Sequence, residues 1–111
     1  MKIAALANLP IESVSHNPEI KKQVMLRRGD VPHLTNFSQA VLPPGQTANA
    51  HRHEGMFEVF FVQAGEGLIR VDDKEQRIEA GICVAVEPGE AHEIENSGPG
   101  ELVLIYFGIE V

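Results

Sequence analysis

The sequence predicts an all-β protein, a sandwich or barrel of short strands. Two observations carry this. From Gln23 onward the text breaks into short stretches rich in β-branched and aromatic residues. Turn chemistry separates them at short, regular intervals, as in Pro43-Pro44-Gly45, Gly65-Glu66-Gly67, Asp72-Asp73-Lys74, Pro88-Gly89 and Asn96-Ser97-Gly98-Pro99-Gly100. A third is negative: no long segment carries the 3.6-residue apolar period of an amphipathic helix.

Taken in order, Met1 to His16 shows no firm periodicity. Asn17-Pro18-Glu19 reads as a helix start, with an N-cap, a proline at the first helical position and then an acid, so one helical turn is expected through Lys22. Residues 1–22 are therefore read as a short irregular N-terminal segment, and residues 23–111 as the β domain. Strands are expected at Val24–Arg27, Leu34–Leu42, Thr47–His53, Phe57–Ala64, Leu68–Val71, Gln76–Ile78, Ile82–Val86, His92–Glu95 and Leu102–Phe107. The stretch from Gln23 to Leu42 is expected to supply edge strands.

The 111 residues make one domain, with enough apolar content (43%) for a real core. The net charge of −7 argues against nucleic acid and anionic membrane as partners, because both need basic surface. Lys21, Lys22, Arg27 and Arg28 cluster early and read as a solvated run. No stretch of about eighteen apolar residues exists to span a bilayer, and the apolar piece after Met1 breaks at Asn8 and Pro10, too short for a signal-peptide core. One cysteine, Cys83, excludes an internal disulfide. The chain is read as cytoplasmic.

The chemistry concentrates between Gly45 and Gly65. His51 and His53 stand two residues apart, and Glu58 follows. Imidazole and carboxylate are ligands for divalent transition metals. Side chains two apart on a strand share a face at roughly 7 Å, so one ion can touch both histidines. Glu58 lies at an odd offset from His53, which requires a turn or bulge, and Glu54-Gly55 is where the chain can make it. Downstream, the Pro88-Gly89 turn can return the chain and bring His92 beside the first stretch.

These residues resemble the cupin superfamily. The first cupin motif is matched throughout by Gly45, His51, His53, Glu58 and Gly65, and the second by Gly81, Gly89, His92 and Asn96. Pro88 stands one place later than the usual proline, and Ile82 replaces an aspartate; both departures lie away from the ligand positions. The resemblance covers Gly45 to Asn96. It implies a jelly-roll, double-stranded β-helix barrel of the RmlC-like type. It also implies that His51, His53, Glu58 and His92 ligate a divalent transition metal (iron, manganese, nickel or zinc), and that the protein is a homodimer. A metal-dependent oxidoreductase of the dioxygenase type, acting on a small organic molecule, is the leading expectation. A non-catalytic module for metal or small ligands, or an isomerase or decarboxylase on the same site, are the alternatives.

Strand parity places Phe60 and Val62 on the Glu58 face, lining the cavity, with Phe57 and Phe61 turned the other way toward a subunit interface. Ile94 shares the His92 face. Asn96 is either a neighbour of the ligands or a turn cap. Glu54 reads as a solvated turn acid, Tyr106 as core or rim, and Cys83 as a buried strand residue. His16 and His33 lie outside the motifs and are assigned no role, although His33 is within reach of the barrel mouth.

Overall fold

The computed structural model describes all residues from Met1 to Val111. After a single 3-10 turn at Leu6–Asn8 the chain forms ten strands: β1 Glu12–Val14, β2 Asn17–Arg27, β3 Leu34–Leu42, β4 Thr47–His51, β5 Met56–Ala64, β6 Glu66–Val71, β7 Lys74–Glu79, β8 Cys83–Val86, β9 His92–Glu95 and β10 Leu102–Glu110. They build two antiparallel sheets, a six-stranded one in the order β1-β2-β3-β10-β5-β8 and a four-stranded one in the order β4-β9-β6-β7. From β3 onward the chain passes back and forth between the sheets, which is the jelly-roll path expected. No helix is long and apolar enough to cross a membrane.

Period-2 alternation explains which sheet face is inside. Lys22, Ala40, Leu104 and Val62 stand side by side across β2, β3, β10 and β5. Ser38, Tyr106, Phe60 and Val84 form a neighbouring inner row. Ile69, Ile78 and Ile94 face them from the four-stranded sheet, and with Leu42 and Leu102 they close a continuous apolar core. At ~25 cal/mol per Å² of apolar surface removed from water, such side chains contribute about 1.5–3 kcal/mol each.

The two outer faces differ. On the four-stranded sheet Arg70 reaches Glu75, Glu93 and Glu95 at 2.9, 2.8 and 2.7 Å, so this face is charged and wet. On the six-stranded sheet the outer rows are apolar over β10, β5 and β8, with Gln39 and Gln23 polar at the β3–β2 end of the second row. Phe37, Phe107, Val59 and Ala85 form one, and Ile105, Phe61 and Cys83 continue the next. Phe57, Phe61 and Ile109 are exposed there.

The chain crosses from β5 in one sheet to β6 in the other at Gly65. Its φ of 86° favours glycine, and a Cβ at this position would lie 2.3 Å from the Glu101 carbonyl oxygen. The glycine that ends the first motif is thus required by close backbone packing against the start of β10.

Several expectations are corrected. Asn17 to Lys22 is strand, not a helical turn. Asn17 still accepts the Glu19 N–H on its side chain, as an N-cap does, at 3.0 Å. Its amide nitrogen meanwhile donates to Gln46 and to the Thr47 carbonyl, tying the β1–β2 hairpin to β4. β2 therefore runs straight through the boundary between residues 22 and 23. β3 is not an edge strand, because β2 and β10 flank it, whereas β1 covers β2 only as far as Lys22, so residues 23–27 of β2 have no strand on their outer side. Cys83 is exposed: Val84 and Val86 take the inward positions opposite Phe60 and Glu58, which turns Cys83 outward opposite Phe61. Strands β3 and β9 have the expected limits, β4 ends at His51 instead of His53, and β10 runs on to Glu110.

Candidate metal centre

The site lies where the two sheets face each other, and each sheet supplies part of it. Glu58 is an inward residue of β5, paired in register with Gly108 and Val86. His51 ends β4 and His92 begins β9; the two are register partners, which sets their rings 4.3 Å apart between centroids. His53 lies just past the end of β4, and the chain bends at Glu54-Gly55 before β5 starts at Met56. The odd offset between His53 and Glu58 is resolved at the place expected. Gly89, with φ 84°, allows the turn before His92, and its N–H donates to the His53 carbonyl at 2.9 Å. One backbone bond therefore joins the two halves of the ligand set.

The three Nε2 atoms converge on a single oxygen, Oε1 of Glu58, at 2.8 Å from His92, 3.4 Å from His53 and 3.7 Å from His51. All four donor atoms lie within 4.8 Å of one another. The far ring nitrogens are also oriented. Nδ1 of His51 faces the Asn49 carbonyl at 3.1 Å, and Nδ1 of His92 faces the Glu90 carbonyl at 3.3 Å. Without a metal, Nε2 of His92 carries a proton to Glu58; with a metal in place of that proton, the carbonyls would hold a proton on Nδ1 and leave the Nε2 lone pair pointing inward, the tautomer a metal ligand needs. The donor set fits a divalent transition metal: three imidazole nitrogens and one carboxylate, with ring orientation fixed from behind.

Electrostatics agree. Burial opposes ionisation of Glu58, but hydrogen bonds from His51 and His92, with the attraction of His92 and His53, outweigh it and hold the carboxyl at about 2. Contact with Glu58 raises His51 above its ordinary value. Burial lowers His53, helped by its histidine neighbours. Exposure decides the direction of approach. The His92 and Glu58 side chains are only 2% and 8% exposed, whereas His51 and His53 are 35% and 39% exposed. The first pair forms the floor and the second pair the rim.

In front of the donors lies a cavity of about 220 Å³. Phe60, Ile94, Ala40, Leu42 and Leu104 give it apolar walls. Tyr106 lines it, stacked on Phe60 at 5.8 Å between centroids, and burial pushes its hydroxyl above the ordinary tyrosine range. Phe60 and Ile94 are thus placed as parity demands. Val62 is inward but sits in the core behind the cavity wall.

Other candidates resolve. Asn96 caps the turn before β10: its amide nitrogen donates to the carbonyls of Leu42 and Gly100, both at 2.8 Å, and its oxygen accepts the Gly98 N–H. Glu54 lines an outer groove with Arg52 and Gly55. His33 is exposed and outside the cavity. Cys83 is no part of the donor group. Two cavity residues escaped the sequence reading. His16, on the β1–β2 turn, closes over the cavity with its ring 6.3 Å from that of His51. Lys22 points in, not into solvent with Lys21. Only the pairing of β2 with β3 reveals either placement.

An all-β double-sheet barrel with this donor set between its sheets defines a class of metal-binding proteins. A family model described as "Cupin domain" matches residues 38–108, and the chain belongs to that family. Among curated proteins it is similar to the oxalate-binding protein of Thermotoga maritima, with 39% identity over 66 residues, 60% of this chain and 54% of that protein. The chain thus spans about half the length of that relative. Among solved structures it is similar to a predicted oxalate decarboxylase from Thermotoga maritima, with 26% identity, a TM-score of 0.91 and coverage of 98% of this chain and 99% of the other. An RmlC-like cupin from Shewanella frigidimarina, 21% identical with a TM-score of 0.80 and coverage of 97% and 89%, shares the fold.

Because Glu58 stays ionised far into acid, protons compete with a metal through the imidazoles. Each imidazole that must lose a proton costs about tenfold in affinity per pH unit below its pKa. His51, raised, is protonated first as pH falls, and His53, lowered, later. Competition titration against a chelating dye from pH 8 to pH 5 should show affinity falling from near neutrality and steepening below it. His92→Ala should weaken binding by about 100-fold or more, since it removes the most deeply buried of the nitrogen donors. A flat pH profile together with unchanged affinity in the variant would remove the assignment.

Proposed function

We propose that this cupin holds a divalent transition metal (iron, manganese, nickel or zinc) on His51, His53, Glu58 and His92. There it would bind a small carboxylate, as the first step of a dioxygenase-type oxidation where the metal is redox-active (iron, manganese or nickel); zinc, which has no redox chemistry, would support binding only. The observation that carries the reading is the convergence of three Nε2 atoms on one buried carboxylate oxygen, at the floor of an apolar cavity of about 220 Å³. A metal held by His51, His53, Glu58 and His92 would supply Lewis acidity to a carboxylate brought beside it and, if redox-active, electrons to dioxygen. The cavity size limits the substrate to a small molecule. A carboxylate is supported by the names of the relatives, one oxalate-binding and one a predicted oxalate decarboxylase.

The chain's own residues supply the surroundings of such a reaction. Phe60, Ile94 and Leu104 exclude water from one side of the donors. His92 and Glu58, buried, stay fixed, while the more open His51 and His53 border the entry. Binding or decarboxylation of a carboxylate without oxidation is the second reading, and the same two relatives' names favour it.

The apolar outer face of the six-stranded sheet supports a homodimer formed through Phe57, Phe61 and Ile109. Residence in a reducing compartment such as the cytoplasm is supported by the exposed, unpaired Cys83. Mass measurement in solution should give a species at twice the 12.2 kDa of the chain, and a clean monomer would exclude this dimer.

The reaction is tested on protein loaded separately with each metal and offered oxalate, other small carboxylates and small enols. Oxygen uptake that depends on both metal and carboxylate is the expected result. Release of carbon dioxide without oxygen uptake would replace it with decarboxylation. Saturable carboxylate binding with no turnover under any metal would leave a binding protein.

A further inference from the structure

The inner face of β2 carries a charge that its surroundings do not explain. Ile20, Lys22 and Val24 are successive inward positions, and the two flanking residues are 1% and 8% exposed. Across the sheet the row that begins with Lys22 continues through Ala40, Leu104 and Val62. Lys22 is the one lysine or arginine lining the metal cavity. It also lines a second, more polar chamber of about 420 Å³, which shares His53, Glu58 and Tyr106 with the first. The side chain thus stands where the two spaces meet.

Its ammonium has no partner within the chain. No carboxylate oxygen lies within ion-pair distance of it, and no hydrogen bond is made to it. The acids that could serve are engaged elsewhere. Glu12, across from Lys22 on β1, is held by Arg27 at 2.6 Å. Glu58 is surrounded by the three histidines. Arg28, which borders the second chamber, pairs with Glu110. Lys21, one residue away, faces out and bonds Ser13 and the Pro18 carbonyl. Lys22 is partly buried and has no counter-charge in the chain, so an anion entering the cavity would meet an unengaged cation.

We propose that Lys22 determines specificity: its ammonium holds the second acid group of a short dicarboxylate whose first acid group is bound at the metal. The proposal rests on the reading of the site as a metal-dependent carboxylate site and names the substrate class. Charge complementarity supports it. A divalent ion with one carboxylate ligand and three neutral imidazoles carries a net charge of +1, and Lys22 adds another. A dianion neutralises both, whereas a monocarboxylate leaves one cation unpaired in an apolar cavity. The volume of about 220 Å³ holds the dianion to a few carbons. Lys22 touches the ligand and not the metal, so it acts on which anion is retained and not on metal loading.

The test is calorimetric titration of zinc-loaded protein with oxalate, malonate, succinate and acetate at fixed ionic strength, for wild type, Lys22→Met and Lys22→Arg. At least one dicarboxylate should bind wild type about tenfold or more tighter than acetate does, and Lys22→Met should lose that preference. Lys22→Arg should keep much of it. Zinc affinity should not weaken in either variant. Without ligand, Lys22→Met should melt at or above the wild-type temperature, because it replaces an unpaired cation with an apolar chain of similar length. Retention of the dicarboxylate preference in Lys22→Met overturns the proposal, as does a large drop in melting temperature, which would make the residue structural. Zinc-loaded wild type that binds no carboxylate overturns the underlying reading itself, a pattern distinct from both.

Discussion

A carboxylate on the inner face of a barrel is expensive to keep ionised, and Glu58 keeps its charge because three imidazoles point at it. Removing one partner from such a buried cluster typically costs about 3–5 kcal/mol, since the remaining charge is left uncompensated. The rest of the fold can be read as what this convergence requires. β5 must carry Glu58 inward. β4 and β9 must pair so that His51 and His92 fall opposite each other. The turn at Gly89 must bond the His53 carbonyl so that the third imidazole is held close. The first two requirements are met by strand pairing, and the third by a backbone bond between the turn at Gly89 and the segment just past β4. A site held on strands is pre-organised for a ligand.

The same geometry divides labour. His92 and Glu58 are packed below the surface, and His51 and His53 stand toward the opening. The apolar wall from Phe60 and Ile94 lowers the local polarity around the donors, which strengthens electrostatic attraction between a bound metal and an anion. Against that wall, Lys22 is the one strong charge turned inward from β2. On the proposed reading, a cavity built from apolar rows, a cluster of metal donors and one lysine would select by charge as well as by size.

Much of this was legible in the sequence, for physical reasons. Strands such as Leu34–Leu42 and His92–Glu95 are bounded by turn residues on both sides and alternate cleanly, so local chemistry sets their limits. The four donors were legible because they stand at the positions of the two cupin motifs that the sequence resembles; parity by itself paired only His51 with His53, and Glu58, at an odd offset, needed the bend at Glu54-Gly55. The N-terminal part was not. Asn17-Pro18-Glu19 has the local features of a helix start, and only pairing of Lys21 and Lys22 with Val41 and Ala40 makes it a strand. With β2 unread, the inward direction of Lys22 and the position of His16 over the cavity were invisible. Cys83 was misplaced for a simpler reason. A short apolar strand has two faces, and the register opposite Phe60 and Phe61, not composition, decides which one is buried.

Binding of one ion by four residues from two sheets can be read most directly by X-ray absorption spectroscopy of the metal-loaded protein, because it reports the first coordination shell of the ion and the outer-shell scattering of imidazole rings. A shell of nitrogen and oxygen donors with outer-shell scattering from three imidazoles is expected, reduced to two in His51→Ala. A shell of oxygen alone, a sulfur donor from Cys83, or a spectrum unchanged by that substitution would contradict it.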